Sequence, residues 1–150
     1  MEKESLHNSF RNILEEARLV FPGTQTLFGF LLIVVFTEFF QTQLGQSERL
    51  IHFASIAFTV ISFAIILTVT AYHRHIHYDL ITKELVILAN KLLKLGMIPL
   101  ALAIVTDFYL VCLLIFSNEL LAILSTATCL LFLIVLWFIL PKTKFVETLR

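Results

Sequence analysis

Residues Leu50–Tyr72 read LIHFASIAFTVISFAIILTVTAY. The stretch carries no Asp, Glu, Lys or Arg, and its apolar residues fall on nearly every face of a helix, with no amphipathic period. It has the length that roughly 20 helical residues need to cross about 30 Å of hydrocarbon. A helix that is apolar all round is solvated by lipid or by other protein. The rest of the chain shows which. Of its 150 residues, 59% are apolar, only 15% are charged, and mean hydropathy is +0.92. A soluble domain of this size has too much surface to cover with so few charges. The composition also excludes a disordered chain, a collagen and a nucleic-acid binder.

Working outward, three further segments have the same character: about 22–43, 97–116 and 120–140, beside the first at 50–72. The expected fold class is therefore an all-α membrane protein, a four-transmembrane-helix bundle forming a single domain over 1–150. Met1–Arg18 is polar and mixed in charge and lacks the apolar core of a cleavable signal, so the first span is expected to direct its own insertion.

Two more segments are amphipathic. In 5–20, Leu6, Phe10, Ile13, Leu14, Ala17 and Val20 form one stripe, with Arg11, Glu15 and Arg18 spaced for pairing on the other side. In about 80–95, Ile81, Leu85, Leu88, Leu92 and Leu95 recur at intervals of four and three, with Lys83, Lys91 and Lys94 on other faces. Two placements are open. They are an N-terminal amphipathic helix and a cytoplasmic interfacial helix lying on anionic inner-leaflet lipids, or they dock on the end of the bundle. Pro22-Gly23 is expected to break or kink the chain before the first span. Pro99, near the start of the third, falls where a missing N–H costs least.

Net charge is zero, but position is not neutral. Lys3, Arg11, Arg18, Arg74, Lys83, Lys91, Lys94, Lys142, Lys144 and Arg150 would lie on one side and Arg49 alone on the other. The positive-inside rule then places both termini in the cytoplasm, with short outer turns at 44–48 and 117–119.

Ionisable groups at membrane depth are costly and so mark candidate function. Asp107 falls near the middle of the third span, Glu38 in the outer half of the first, and His52 at the outer end of the second. His52, Ser55, Thr59 and Ser62 follow at steps of three, four and three and share one helix face. That face either packs closely, with hydroxyls bonding across, or lines a wetted path. By depth, Asp107, Thr59, Ser55, His52 and Glu38 would run from mid-membrane to the outside, a series suited to proton or monovalent cation movement.

His73, His75 and His77, with Asp79, are better read as an interfacial basic patch than as a metal site, since converging ligands and supporting groups are missing. Haem needs histidines on facing spans, and the other spans have none. Cys112 and Cys129 would differ by about 8 Å in depth at helical rise, which disfavours a disulfide. No cofactor, metal or nucleic acid is expected. No nucleophile elbow, phosphate loop, zinc-protease helix or CxxC is present, so no enzyme activity is expected either.

Glu15-Glu16-Ala17-Arg18, Pro22-Gly23-Thr24-Gln25-Thr26-Leu27-Phe28, Ala71-Tyr72-His73-Arg74 and Ala89-Asn90 together resemble a family of uncharacterised small bacterial four-span membrane proteins. The resemblance covers most of the chain, and automated naming labels some members sodium/proton antiporters. It implies a multi-pass protein of the bacterial inner membrane. The resembling residues Glu15, Arg18, Gln25, His73, Arg74 and Asn90 map to the cytoplasmic end and are expected to form a polar cluster, with Glu15 or Glu16 pairing Arg74. Two functions follow. One is a small proton- or cation-coupled transporter or channel, acting as a homo-oligomer because four helices leave little room for a pore. The other is a non-transporting accessory, scaffold or lipid-interacting protein.

Overall fold

The computed structural model describes the backbone of residues 2–75 and 82–142 and the side chains of 6–72 and 82–141. The chain forms α1 (Glu2–Val35), α2 (Glu38–Gln43), α3 (Gln46–His75), α4 (Lys83–Phe116) and α5 (Glu119–Ile134), the last running on through a π turn at Val135–Ile139. Four of these helices are long and apolar enough to cross a membrane. No strand occurs among the described residues.

Neither amphipathic segment is a separate helix. The first is the opening part of α1, and the second is the opening part of α4. Phe10, Ile13, Leu14 and Ala17 are buried against Ile66 and Val69 of α3 and Ala89 and Leu93 of α4. The stripe of 5–20 therefore docks on the bundle end, and that contact holds α1 in line with its own span.

Pro22 does not break α1. The carbonyl it deprives of a partner is that of Arg18, an exposed residue where water can donate instead. The Thr24 and Thr26 hydroxyls add bonds to the carbonyls of Val20 (3.1 Å) and Pro22 (2.8 Å) in the neighbouring turns. Pro99 likewise lies deep inside α4 and is buried, not at a helix start. The face that carries Ala89, Leu93, Gly96, Leu100 and Ala103 runs unbroken past it into contact with the bundle, and that packing outweighs one lost backbone bond.

The first span ends earlier than 43. The chain turns at Phe36–Thr37, and the Thr37 side chain caps α2 by accepting from the Phe40 N–H. Leu44-Gly45 then leads into α3. At this same end the α4–α5 connection is only Ser117-Asn118. Ser117 closes α4 in the left-handed conformation (φ 49°), and the Asn118 side chain accepts from Leu121 N–H. Phe40, Leu44 and Leu110 form a second small core here, the turn end, far along the helices from the Phe10 cluster.

The α3–α4 hairpin is the centre of the fold; α1 packs chiefly on α3, and α5 on α4. The Ser55 hydroxyl donates to the Ala103 carbonyl at 2.8 Å and the Ser62 hydroxyl to the Gly96 carbonyl at 2.7 Å. Val69 and Ala89 meet further down. The facing pairs step by seven residues in opposite directions, an antiparallel heptad seam with small residues at the contact. Phe21 of α1 stacks on Phe63 of α3 at 4.8 Å.

Hydrocarbon provides no water-driven attraction between spans, so close packing and bonds across the seam carry the assembly. Ser62→Ala and Ser55→Ala are each expected to lower unfolding stability in detergent by about 0.5–1 kcal/mol. Thr128→Ala, which removes an exposed hydroxyl bonded only to its own helix at Leu124, should have a smaller effect. Equal effects of the three would remove the seam bonds as the cause.

Candidate functional site

Two titratable side chains from different spans, one on α3 and one on α4, face each other at the turn end. His52 is buried, 1% exposed, and its ring lies between three helices. Nε2 is 2.9 Å from the carbonyl oxygen of Leu31 on α1. Nδ1 is 3.5 Å from Oδ1 of Asp107 on α4. The edge of the Phe40 ring of α2 meets the imidazole with centroids 5.2 Å apart.

The protonation state follows from these partners. A carbonyl oxygen only accepts, so Nε2 carries a proton and donates it to Leu31. In neutral His52, Nδ1 is then a bare acceptor facing a carboxyl group. Two acceptors repel, and one further proton joining the pair relieves that contact. It sits on Nδ1, giving an imidazolium and a carboxylate, or on Asp107, giving a neutral acid and a neutral ring. Both arrangements have zero net charge, which is the condition for a titratable pair at membrane depth. The 3.5 Å separation is longer than a formed hydrogen bond, and Nδ1 is a buried nitrogen without one. The Asp107 side chain remains 29% exposed in the single chain. The pair is thus loosely held on its acidic side and firmly held at Leu31.

A specific prediction follows. In 15N spectra of the neutral imidazole, Nε2 should carry the proton and Nδ1 should not. A neutral ring protonated at Nδ1 would contradict the tautomer assigned to the Leu31 contact.

The structure regroups the expected series. Asp107 lies against His52, not Thr59, because α4 begins at Lys83 and the heptad register carries position 107 to the level of 52. Ser55 and Ser62 donate across the seam, and Thr59 donates to the Ser55 carbonyl of its own helix at 2.9 Å. All three are fully buried. The hydroxyl face is a packed seam, and its donors are all occupied. Glu38 does not join the series. It is exposed in the first turn of α2, since the first span ends at Val35 and the chain changes direction before reaching it.

The polar cluster at the opposite end is not assembled among the described side chains. Glu15 pairs with Arg11 of its own helix at 3.1 Å, and both are exposed. Arg18, Gln25 and Asn90 are exposed as well. The apolar stripe turns inward, so the polar side of α1 turns away from the bundle. The side chains of His73, Arg74 and His75, together with His77 and Asp79, lie outside the described residues. Cys112 and Cys129 are free.

Three members of the site carried little signal in the sequence. Leu31 contributes only a carbonyl, which every residue has. Phe40 reads as one aromatic among fifteen phenylalanines. Arg49 lies one helical turn before His52, a spacing that does place the two on one face.

These features define a helical membrane protein with four span-length helices and, among the described residues, a buried histidine facing a half-buried carboxyl between two of them. The chain belongs to the DUF6328 family, a family of unknown function whose model matches residues 1–141. No curated protein and no solved structure matches the chain.

Proposed function

We propose that this protein is a small proton-coupled membrane transporter or channel whose proton-binding element is the His52–Asp107 pair. The observation that carries the reading is the imidazole held at Nε2 by the Leu31 carbonyl, with Nδ1 unbonded and facing Asp107 at 3.5 Å. Such a pair passes a proton between ring and carboxyl with no change in net charge, takes up or releases one to water when it is reached by solvent, and sits among spans where a permanent charge is disfavoured. The distribution of basic residues supports an orientation with the turn end outside and both termini cytoplasmic, as in a bacterial inner-membrane protein. Below the pair, the Ser55–Thr59–Ser62 seam acts as the closed barrier.

A single copy encloses little. α5 packs chiefly on α4, and the Asp107 side chain is not fully covered by its own chain. A second copy beside Asp107 would complete the enclosure, which favours a homo-oligomer as the working form.

The test is flux. Purified protein in liposomes with an imposed pH gradient and an enclosed pH-sensitive dye should dissipate the gradient at least about tenfold faster than empty liposomes. A rate equal to that of empty liposomes sinks the reading. It would favour the second one, a non-transporting accessory or scaffold, for which the fully occupied hydroxyl seam is the supporting observation.

A further inference from the structure

The pair has a cover at the turn end. The Phe40 ring is buried over His52, with Leu44 and Leu110 beside it. The Arg49 guanidinium lies over the other aromatic surface available to it, 5.9 Å from the Phe40 centroid. Arg49 also donates through Nη2 to the Gln41 carbonyl at 2.7 Å. Gln41 in turn donates through Nε2 to the Val35 carbonyl at 3.0 Å, tying α2 back to the end of α1. Thr37 caps the Phe40 N–H at 3.3 Å. The cover is thus a helix of six residues seated by the small Phe40–Leu44–Leu110 core and tied by one cation–ring contact and a few hydrogen bonds.

These fastenings differ in kind from those of the spans. The helices that carry the pair are long and packed along their length, whereas α2 is short and rests on one small apolar cluster and a few polar contacts at the turn end. Contacts of that strength open frequently compared with a packed hairpin. Among the described residues the polar groups at the His52 ring nitrogens are Asp107 from α4 and the Leu31 carbonyl from α1, while Arg49 of its own helix is exposed with its guanidinium over Phe40. Glu38 of α2 is exposed.

We propose that α2 is the gate of the His52–Asp107 pair at the turn end, with the Phe40 ring as its plug and Arg49 as its latch. This rests on the pair being the proton site. With the ring seated, His52 is closed to water from this end. With Arg49 released and α2 swung out, Nδ1 and Asp107 exchange protons with the solvent. A cation–ring contact suits a latch because it weakens without leaving a bare charge in hydrocarbon, the guanidinium already lying at the exposed end.

The gate can be read without any flux. Diethyl pyrocarbonate acylates accessible imidazoles, and mass measurement of the peptide containing His52 reports its rate. In detergent-purified protein at one pH, His52 should react slowly in the wild type. It should react about tenfold faster in Phe40→Ala, which also loses part of a small core and unfolds below the wild type, and several-fold faster in Arg49→Gln, whose unfolding midpoint should lie near that of the wild type. If Phe40→Ala fails to fold, Arg49→Gln decides. A folded Arg49→Gln or Phe40→Ala protein whose His52 reacts no faster than the wild type overturns the gate. Absence of flux in wild-type liposomes would instead sink the transport reading, while leaving the reactivity of His52 to report on its cover.

Discussion

Asp107→Asn is expected to leave the helices assembled and to reduce proton flux through the protein to that of empty liposomes, a loss of at least about tenfold. The asparagine amide N–H can donate to His52 Nδ1 as the protonated acid does, so Nδ1 is not left bare. The substituted pair has the shape and charge of one of the two arrangements available to the native pair, but cannot reach the other. The fold should therefore survive while the exchange stops. Asp107→Ala removes the carboxyl altogether, so Nδ1, which has no formed hydrogen bond, loses the one group it faces, at an expected cost of about 1 kcal/mol. The comparison separates chemistry from assembly: unfolding in detergent should rank Asn near the wild type and Ala below it, while both lose flux. An Asp107→Asn protein that dissipates a pH gradient at the wild-type rate would falsify the role of the pair.

Gly96→Leu should be the most damaging single substitution in the seam. A Cβ on Gly96 would meet Cγ1 of Ile66 at 2.8 Å, closer than side chains normally approach. Ile66 is itself fully buried and has no room to yield. The close approach of α3 and α4 at this point is also what brings the Ser62 hydroxyl to the Gly96 carbonyl. A leucine side chain here forces the helices apart, breaks that bond and loosens the packing that sets the register of Asp107 against His52. Overpacking of this type costs about 1–3 kcal/mol for a small addition and more for a large one. Gly96→Ala is expected near the lower part of that range. Gly96→Leu should exceed it or prevent accumulation of folded protein. A Gly96→Leu protein that unfolds within about 0.5 kcal/mol of the wild type would show that the seam is not tightly packed at this point.

Much of this architecture is legible from residue order alone. Leu50–Tyr72 and the three other apolar segments announce helices for a membrane, because no soluble surface can be made from them. The three-four-three spacing of His52, Ser55, Thr59 and Ser62 places them on one face, and α3 buries that face. The apolar stripe from Phe10 to Ala17 was visible, but its partner was not. A stripe of that type fits a lipid surface and a helix end equally well, and the choice fell to Ile66, Val69, Ala89 and Leu93, which are distant in sequence.

Of the candidate site, the two titratable members were legible in the sequence, whereas their pairing and the groups around them were not. His52 and Asp107 stand out because ionisable residues are scarce within the spans. Their contact depends on how far α4 extends before it reaches the seam, and residue depth counted from an assumed span centre misplaces it. Glu38 illustrates the reverse case. It belongs to an apolar run that reads as one span, and only the turn at Phe36–Thr37 removes it.

The sequence by itself determined the solvent of this protein, the number of its long helices and the face of α3 that carries polar groups, because each depends on local periodicity and composition. The tertiary structure decided which groups meet. The Leu31 carbonyl that sets the tautomer, the Phe40 ring over His52 and the Asp107 carboxyl at Nδ1 come from three different helices. Their meeting is set by the close α3–α4 approach at Gly96 and by the turn back into α2, and packing between elements distant in the chain leaves no periodic trace in the order of residues.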